Sequence, residues 1–327
     1  MHSRGRLFAV LAVACFIVAA GAVISAVIAQ RTGATAAAPH VAAFERPYLV
    51  FRSLNPKAGR SEFGELASTS VAAPGRDRRL SGRICDRLHA TAAAGICVGR
   101  GDSLLGAYEA QLLAVDGRVR DSIDLTGIPS RARVSADGRY GATTTFVTGH
   151  SYASPGAFST QTLLIDMREG EVIADLETFT VARAGRVVDA ADVQFWGVTF
   201  ARDSDRFYAT LATGGSTYLI AGRVSTRTAR VMRDNVECPS LSPDGTRIGY
   251  KKLVGTKVKT WRFHVLDLAS GTETPLAETR SVDDQLEWLD DGHLLYGEGD
   301  SIWTVPADGT GVARRYLAGA GSPALVR

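Results

Sequence analysis

The stretch "LSPDGTRIGYKKLV", Leu241 to Val254, sets a polar Ser-Pro-Asp-Gly turn after an apolar residue and follows it with an alternating, strand-like run. Three other stretches lie over it in register: "VSADGRYGATTTFV" from Val134, "FARDSDRFYATLAT" from Phe200 and "WLDDGHLLYGEGDS" from Trp288. Asp137, Asp203, Asp244 and Asp291 fall at one position of this repeat, and Gly138, Gly245 and Gly292 at the next. Asp suits such a turn because its side chain bonds the backbone just beyond it, and Gly because it accepts positive φ without steric cost.

Each repeat carries a second punctuation further on, as in "LLIDMREGEVI", "YLIAGRVSTRTARVM", "FHVLDLASGTETPL" and "IWTVPADGTGVARRYL". These read as a third strand, a turn and a fourth strand. Four strands joined by hairpins make one propeller blade, a unit that must stack on neighbours to bury its faces. A weaker copy runs from about Arg83 to Gly127. Before it, "PYLVFRSL", "GELASTSV" and "RDRRLSG" supply three strands, and "SPALVR", Ser322 to Arg327, reads as the missing first strand. The expectation is an all-β, six-bladed β-propeller over residues 47–327 whose last strand completes its first blade, with repeats of about 40–50 residues. An all-β sandwich would not explain that repeat.

"LSPDGTRIGY" with the downstream "VLDLASGTETPL" resembles the propeller repeat of TolB-like proteins, also seen in the propellers of prolyl-oligopeptidase-type peptidases. The resemblance covers about residues 47–327 and implies the fold. "WGVTFARDSDRFYATLATGGSTYL" and "SVDDQLEWLDDGHLLYG" are also similar to exported bacterial proteins described only as TolB-like. The reading departs from TolB in having no α/β domain ahead of the propeller and an apparent membrane anchor, so a Tol-Pal role is not carried over. It departs from the peptidases in lacking a GxSxG elbow.

Residues 1–30 read as a membrane anchor or signal sequence: Arg4 and Arg6 precede an uncharged apolar run from Leu7 to Ala29. That run exceeds a signal-peptide core of about 7–15 residues and matches the roughly 20 that span a bilayer. Kept, it makes a single-pass protein of the cell membrane with an extracytoplasmic propeller; cut, it gives a secreted one. Residues 31–46, rich in Ala and Thr, read as a flexible tether. Outside the cytoplasm disulfides persist, and Cys85 and Cys97 flank an Ala/Gly-rich turn that brings them face to face. Cys238 is left over and reads as a small buried hydrophobe.

The net charge of +3 is spread along the chain and gives no basis for nucleic acid as a partner. No cofactor motif or metal-ligand spacing occurs: "ATGGSTY" lacks a P-loop Lys, and His89, His150, His264 and His293 are isolated in sequence. The candidate ligand-binding residues are His150 and Tyr152, in the long stretch Thr148 to Thr160, and Asp283 and Asp284, ahead of an inner strand at the channel mouth. A second long connection, Val181 to Gln194, is an equal candidate for the binding face. Trp196, Trp261, Trp288 and Trp303 read as packing between blades. No catalytic set emerges. The chain therefore reads as a binding or scaffold module for a protein or cell-envelope component, with a hydrolase or lyase acting on a carbohydrate or small envelope molecule as the alternative.

Overall fold

At Ser242 to Arg247 the repeat turn shows why its residues recur. Asp244 accepts from the Thr246 N–H at 3.0 Å and the Thr246 hydroxyl at 2.8 Å, while Gly245 takes φ +77°. Asp137 does the same for the Arg139 N–H at 3.0 Å, and Asp203 for Arg206 at 3.0 Å, with Ser204 at φ +57° where the other two turns have Gly. The sixth turn is tighter. There Asp290 pairs with His293 across the hairpin and accepts from the Gly292 N–H at 2.7 Å, and Gly292 has no positive φ. Asp291 instead reaches sideways to the Asp244 N–H at 3.2 Å. The turns thus also tie one blade to the next, as does Ser204, whose hydroxyl donates to Asp137 at 2.7 Å.

The computed structural model describes residues 45–55, 63–101, 107–147, 159–255 and 258–327. The expected anchor, nearly all of the tether, and His150 and Tyr152 lie outside the described residues. Among the described residues, no helix is long and apolar enough to cross a membrane.

The strands form six sheets, five of four strands and one of six, each an antiparallel series except at one edge. Blade one is Ala320–Val326, Tyr48–Ser53, Glu65–Ser70 and Arg79–Ile84, so the expected closing strand is in place, with Leu49 opposite Leu325. Blade two is Arg87–Ala90, Gly95–Arg100, Tyr108–Leu113 and Val119–Leu125; blade three is Ile128–Val134, Tyr140–Val147, Ser159–Asp166 and Glu171–Asp175. Blade four is Gln194–Phe200, Arg206–Thr213, Ser216–Arg223 and Thr228–Asp234. Blade five is Glu237–Leu241, Arg247–Leu253, Trp261–Asp267 and Glu273–Pro275; blade six is Glu287–Asp290, His293–Glu298, Ser301–Pro306 and Arg314–Ala318.

Alternation along a strand sends successive side chains to different neighbours. Tyr48 and Val50 join the apolar core shared with blade two, whereas Leu49 and Phe51 join the core shared with blade six. Each adjacent pair of blades encloses such a core, the largest holding Phe179, Phe195 and Phe207 between blades three and four. Trp288 is buried between blades five and six, as expected of a packing residue, and its indole N–H donates to the Ser240 carbonyl at 2.9 Å.

The connection from Val181 to Gln194 differs from the expectation of an open binding loop. Thr180–Arg183 and Arg186–Val187 form a hairpin through Ala184 and Gly185, both at positive φ, as a two-residue hairpin turn requires. Its first strand pairs in parallel with the outer strand of blade four, Val181 opposite Ala229. It thereby covers an edge that would otherwise stay open. Asp192 fastens its end by accepting from Thr213 Oγ1 at 2.6 Å and the Gly214 N–H at 2.7 Å.

The Cys85–Cys97 disulfide is present, with a Cα–Cα distance of 5.4 Å. It links the chain just past the outer strand of blade one to the second strand of blade two. Loop-closure entropy for a 12-residue separation is worth about 3 kcal/mol. Replacing both cysteines by serine is expected to lower unfolding stability by about 2–4 kcal/mol, with little change in denaturant slope, measured by urea titration.

Candidate functional site

The first strand of each blade runs along the central channel, and its residues decide what fills that channel. Near the start of these strands lies a well of about 300 Å³, lined among others by Arg87, Arg131, Trp196, Cys238, Lys251 and Asp283. Near their ends a second opening of about 130 Å³ is lined by His89, Arg133, Glu287 and Arg327. The charges are distributed by blade. Arg87, Arg131 and Arg133 come from blades two and three, while Asp283, Asp284 and Glu287 come from blade six and the segment leading into it.

In the well, the Lys251 ammonium is buried, with 3% of its side chain exposed, and it pairs with the Asp283 carboxylate. Arg131 Nη2 approaches the same Asp283 oxygen at 3.4 Å, and its Nη1 donates to the Ser130 carbonyl at 2.8 Å. Arg87 Nε donates to that carbonyl too, at 2.6 Å. Glu237 Oε2 lies 3.9 Å from Lys251, and Glu237 Oε1 accepts from the Trp261 indole at 3.1 Å. The Lys251 ammonium also sits 5.2 Å from the centre of the Trp261 ring. Burial disfavours the Lys251 charge, but the Cys238 sulfur and Asp283 outweigh it and raise the pKa. Partial desolvation at the wall of the well acts to raise the Asp283 pKa, and Lys251 reverses that and holds it low.

Cys238 is buried and free, at φ +49°, in a register irregularity of the first strand of blade five. Gly197 at φ +66° and Ser322 at φ +50° take the matching place in blades four and one. A side chain at Gly197 would run into the Cys238 backbone, 2.7 Å from Cα, so the two strands approach there as closely as glycine allows.

Deeper in the channel, Arg133 pairs with Glu287, the two side chains 9% and 6% exposed, and donates to the Leu286 carbonyl at 3.2 Å. The Val134 N–H donates to His89 Nδ1 at 3.1 Å, and His89 Nε2 lies 3.0 Å from Arg133 Nη1 and 3.7 Å from Glu287 Oε2. Burial first and Arg133 second lower the His89 pKa, so the ring stays neutral. Arg327 completes the group, 3.7 Å from Glu287.

Of the candidates read from sequence, Asp283 stands at the well with its side chain 65% exposed, and Asp284 accepts from the Gly297 N–H at 2.7 Å. Trp196 and Trp261 line the well rather than an interblade core. Arg131, Arg133, Glu237, Lys251 and Glu287 belong to no motif in the sequence, and His89 stands there as an isolated histidine. Arg131 and Arg133, two apart in "IPSRARV", were the available signal: alternate cations on a first strand face the channel together. Among the described residues no group of three or more His, Cys, Asp or Glu is arranged to hold a metal.

No family model matches the chain, and no curated protein matches it in sequence. Among solved structures it is similar to TolB from Acinetobacter baumannii, at 15% identity and a TM-score of 0.60, over 86% of this chain and 67% of that one. The chain has the TolB-like propeller fold. The same TolB-like propeller is also similar to a chain of a nidogen/laminin complex, at 10% identity and a TM-score of 0.53, over 85% of this chain and 98% of that one. At these identities the likeness is one of fold.

The Arg133–Glu287 pair makes a measurable claim about stability. Removing one partner of a buried pair strands the other charge, so Arg133→Met is expected to cost about 3–5 kcal/mol, and adding Glu287→Leu to recover most of it, by urea titration. The Glu287 pKa is held down to about 2, with burial opposing and Arg133 the main cause. Its contribution is therefore complete above its unfolded value of 4.5 and is lost as the pH falls toward 2. Arg133→Met should weaken that part of the acid dependence, with His89 and Arg327 still beside Glu287.

Proposed function

We propose that the protein is a binding module whose well-bearing face receives a protein or cell-envelope partner, with the propeller as a rigid support. The observation that carries this reading is the rim. Ile128 and Phe146, a cross-strand pair beside the well, are 54% and 41% exposed, and Ile84, Phe63, Val254 and Val258 are exposed at the same edge of their blades. Large apolar side chains left exposed on one face mark that face as a recognition surface. The likeness to TolB and to a chain of a nidogen/laminin complex is consistent with such use. An extracytoplasmic setting, with the N-terminal segment as anchor or signal, belongs to the same proposal.

A hydrolase or lyase at this mouth draws less support. A general acid needs a carboxyl held protonated near neutral pH, whereas Asp283 is held ionised by Lys251.

Photo-crosslinkers placed at Ile128 and at Phe146 are expected to capture one and the same species in intact cells. A crosslinker at Val312, exposed on the opposite edge, should not. Absence of an adduct at both rim positions would sink the proposal. So would turnover of a glycoside, lactone or peptide panel that Lys251→Met abolishes.

A further inference from the structure

The binding reading leaves open what chemistry the well selects, and Asp283 indicates it. Lys251 is buried and Asp283 is mostly exposed, so the two members of this pair are unequal. Asp283 can leave for water at little cost, but Lys251 then loses its closest anion and keeps only Glu237 at 3.9 Å, so a second carboxylate is favoured in the vacated place. The Asp283 carboxylate thus occupies, from outside, a place between Lys251 and Arg131 that favours a negative group. Arg131 has room to draw an anion closer: its Nη2 stands 3.4 Å from the Asp283 oxygen, at the long end of hydrogen-bond reach. The walls next to this cation pair are apolar and aromatic, with Trp196, Trp261 and Phe146 lining the same 300 Å³.

We propose that the well captures a carboxylate borne directly beside an apolar side chain, as at the C-terminus of a peptide ending in an apolar residue, and that this carboxylate displaces Asp283 from Lys251 and Arg131. This rests on the binding reading and specifies it. A carboxylate fits because one already sits between the two cations. An adjacent apolar group fits because the aromatic wall begins where the cations end. A neutral or cationic terminus would have to leave Asp283 in place and would lose the cation contacts. Volume limits the well to the terminal residue and part of the one before it, at the small end of ligand sites.

The probes are acetyl-Gly-Phe with a free carboxylate and its C-terminal amide, titrated calorimetrically into the full chain at low and at physiological salt. The acid is expected to bind about tenfold tighter than the amide, and less tightly as salt rises. Asp283→Ala removes the internal competitor and should tighten the acid by about tenfold while leaving the amide unchanged, with Glu237 still beside Lys251. Lys251→Met, or Arg131→Gln should the first variant not fold, should erase the preference. Equal binding of acid and amide, or no tightening in Asp283→Ala, overturns the proposal. Rim crosslinks that persist unchanged in Lys251→Met leave the binding reading standing and remove this inference. Acid preference without any rim crosslink keeps the carboxylate well and removes the macromolecular partner.

Discussion

A blade whose strands are apolar on both faces has no stable existence by itself, and this shapes everything else in the molecule. Tyr48 and Val50 face one neighbour while Leu49 and Phe51 face the other, so each sheet is half of two cores. Such a unit is satisfied only when the series returns upon itself. The lateral bonds between the repeat turns, from Ser204 to Asp137 and from Asp244 to Asp291, tie blade three to four and blade five to six.

Closure creates a second problem at the hub. The inner edge of every first strand faces the channel with backbone groups that no ladder satisfies, and a buried carbonyl without a donor is costly. Long side chains answer it. Gln285 donates to the Pro239 carbonyl at 3.0 Å, Trp288 to Ser240, Arg87 to Ser130 and Arg133 to Leu286. The arginines bring charge with them, and the acids of blade six neutralise it. The polar filling that completes the hub also makes the charged well at its mouth, so structure and recognition draw on the same residues.

The sequence discloses the parts governed by local rules. Turns with Asp and a positive-φ residue, alternating strands and a cysteine pair at a separation of 12 are constraints between near neighbours, and the strand Ala320–Val326 was legible because blade one lacked a member. The hairpin on blade four escaped because its turn uses Ala184 and Gly185, and Ala is an unusual occupant of positive φ. The well escaped for a different reason. Lys251 lies on a second strand and Arg131 on a first, from blades that meet only across the channel, and no spacing along the chain announces that convergence. Asp283 was legible as a residue of the mouth, but its two cations were not.

The ladder between Ala320–Val326 and Tyr48–Ser53 has a consequence in time. As the chain is made, Tyr48–Ser53 and its two partners from the same segment come first, yet their blade lacks its inner strand until Ala320–Val326 follows. Until then the edge of Tyr48–Ser53 is open, with Leu49 and Phe51 uncovered for want of blade six. Contacts this distant in sequence are slow to form and exposed edges invite pairing with other chains. The protein must therefore reach its functional form late and all at once, and the interval before that is when it most needs to be kept from its own copies.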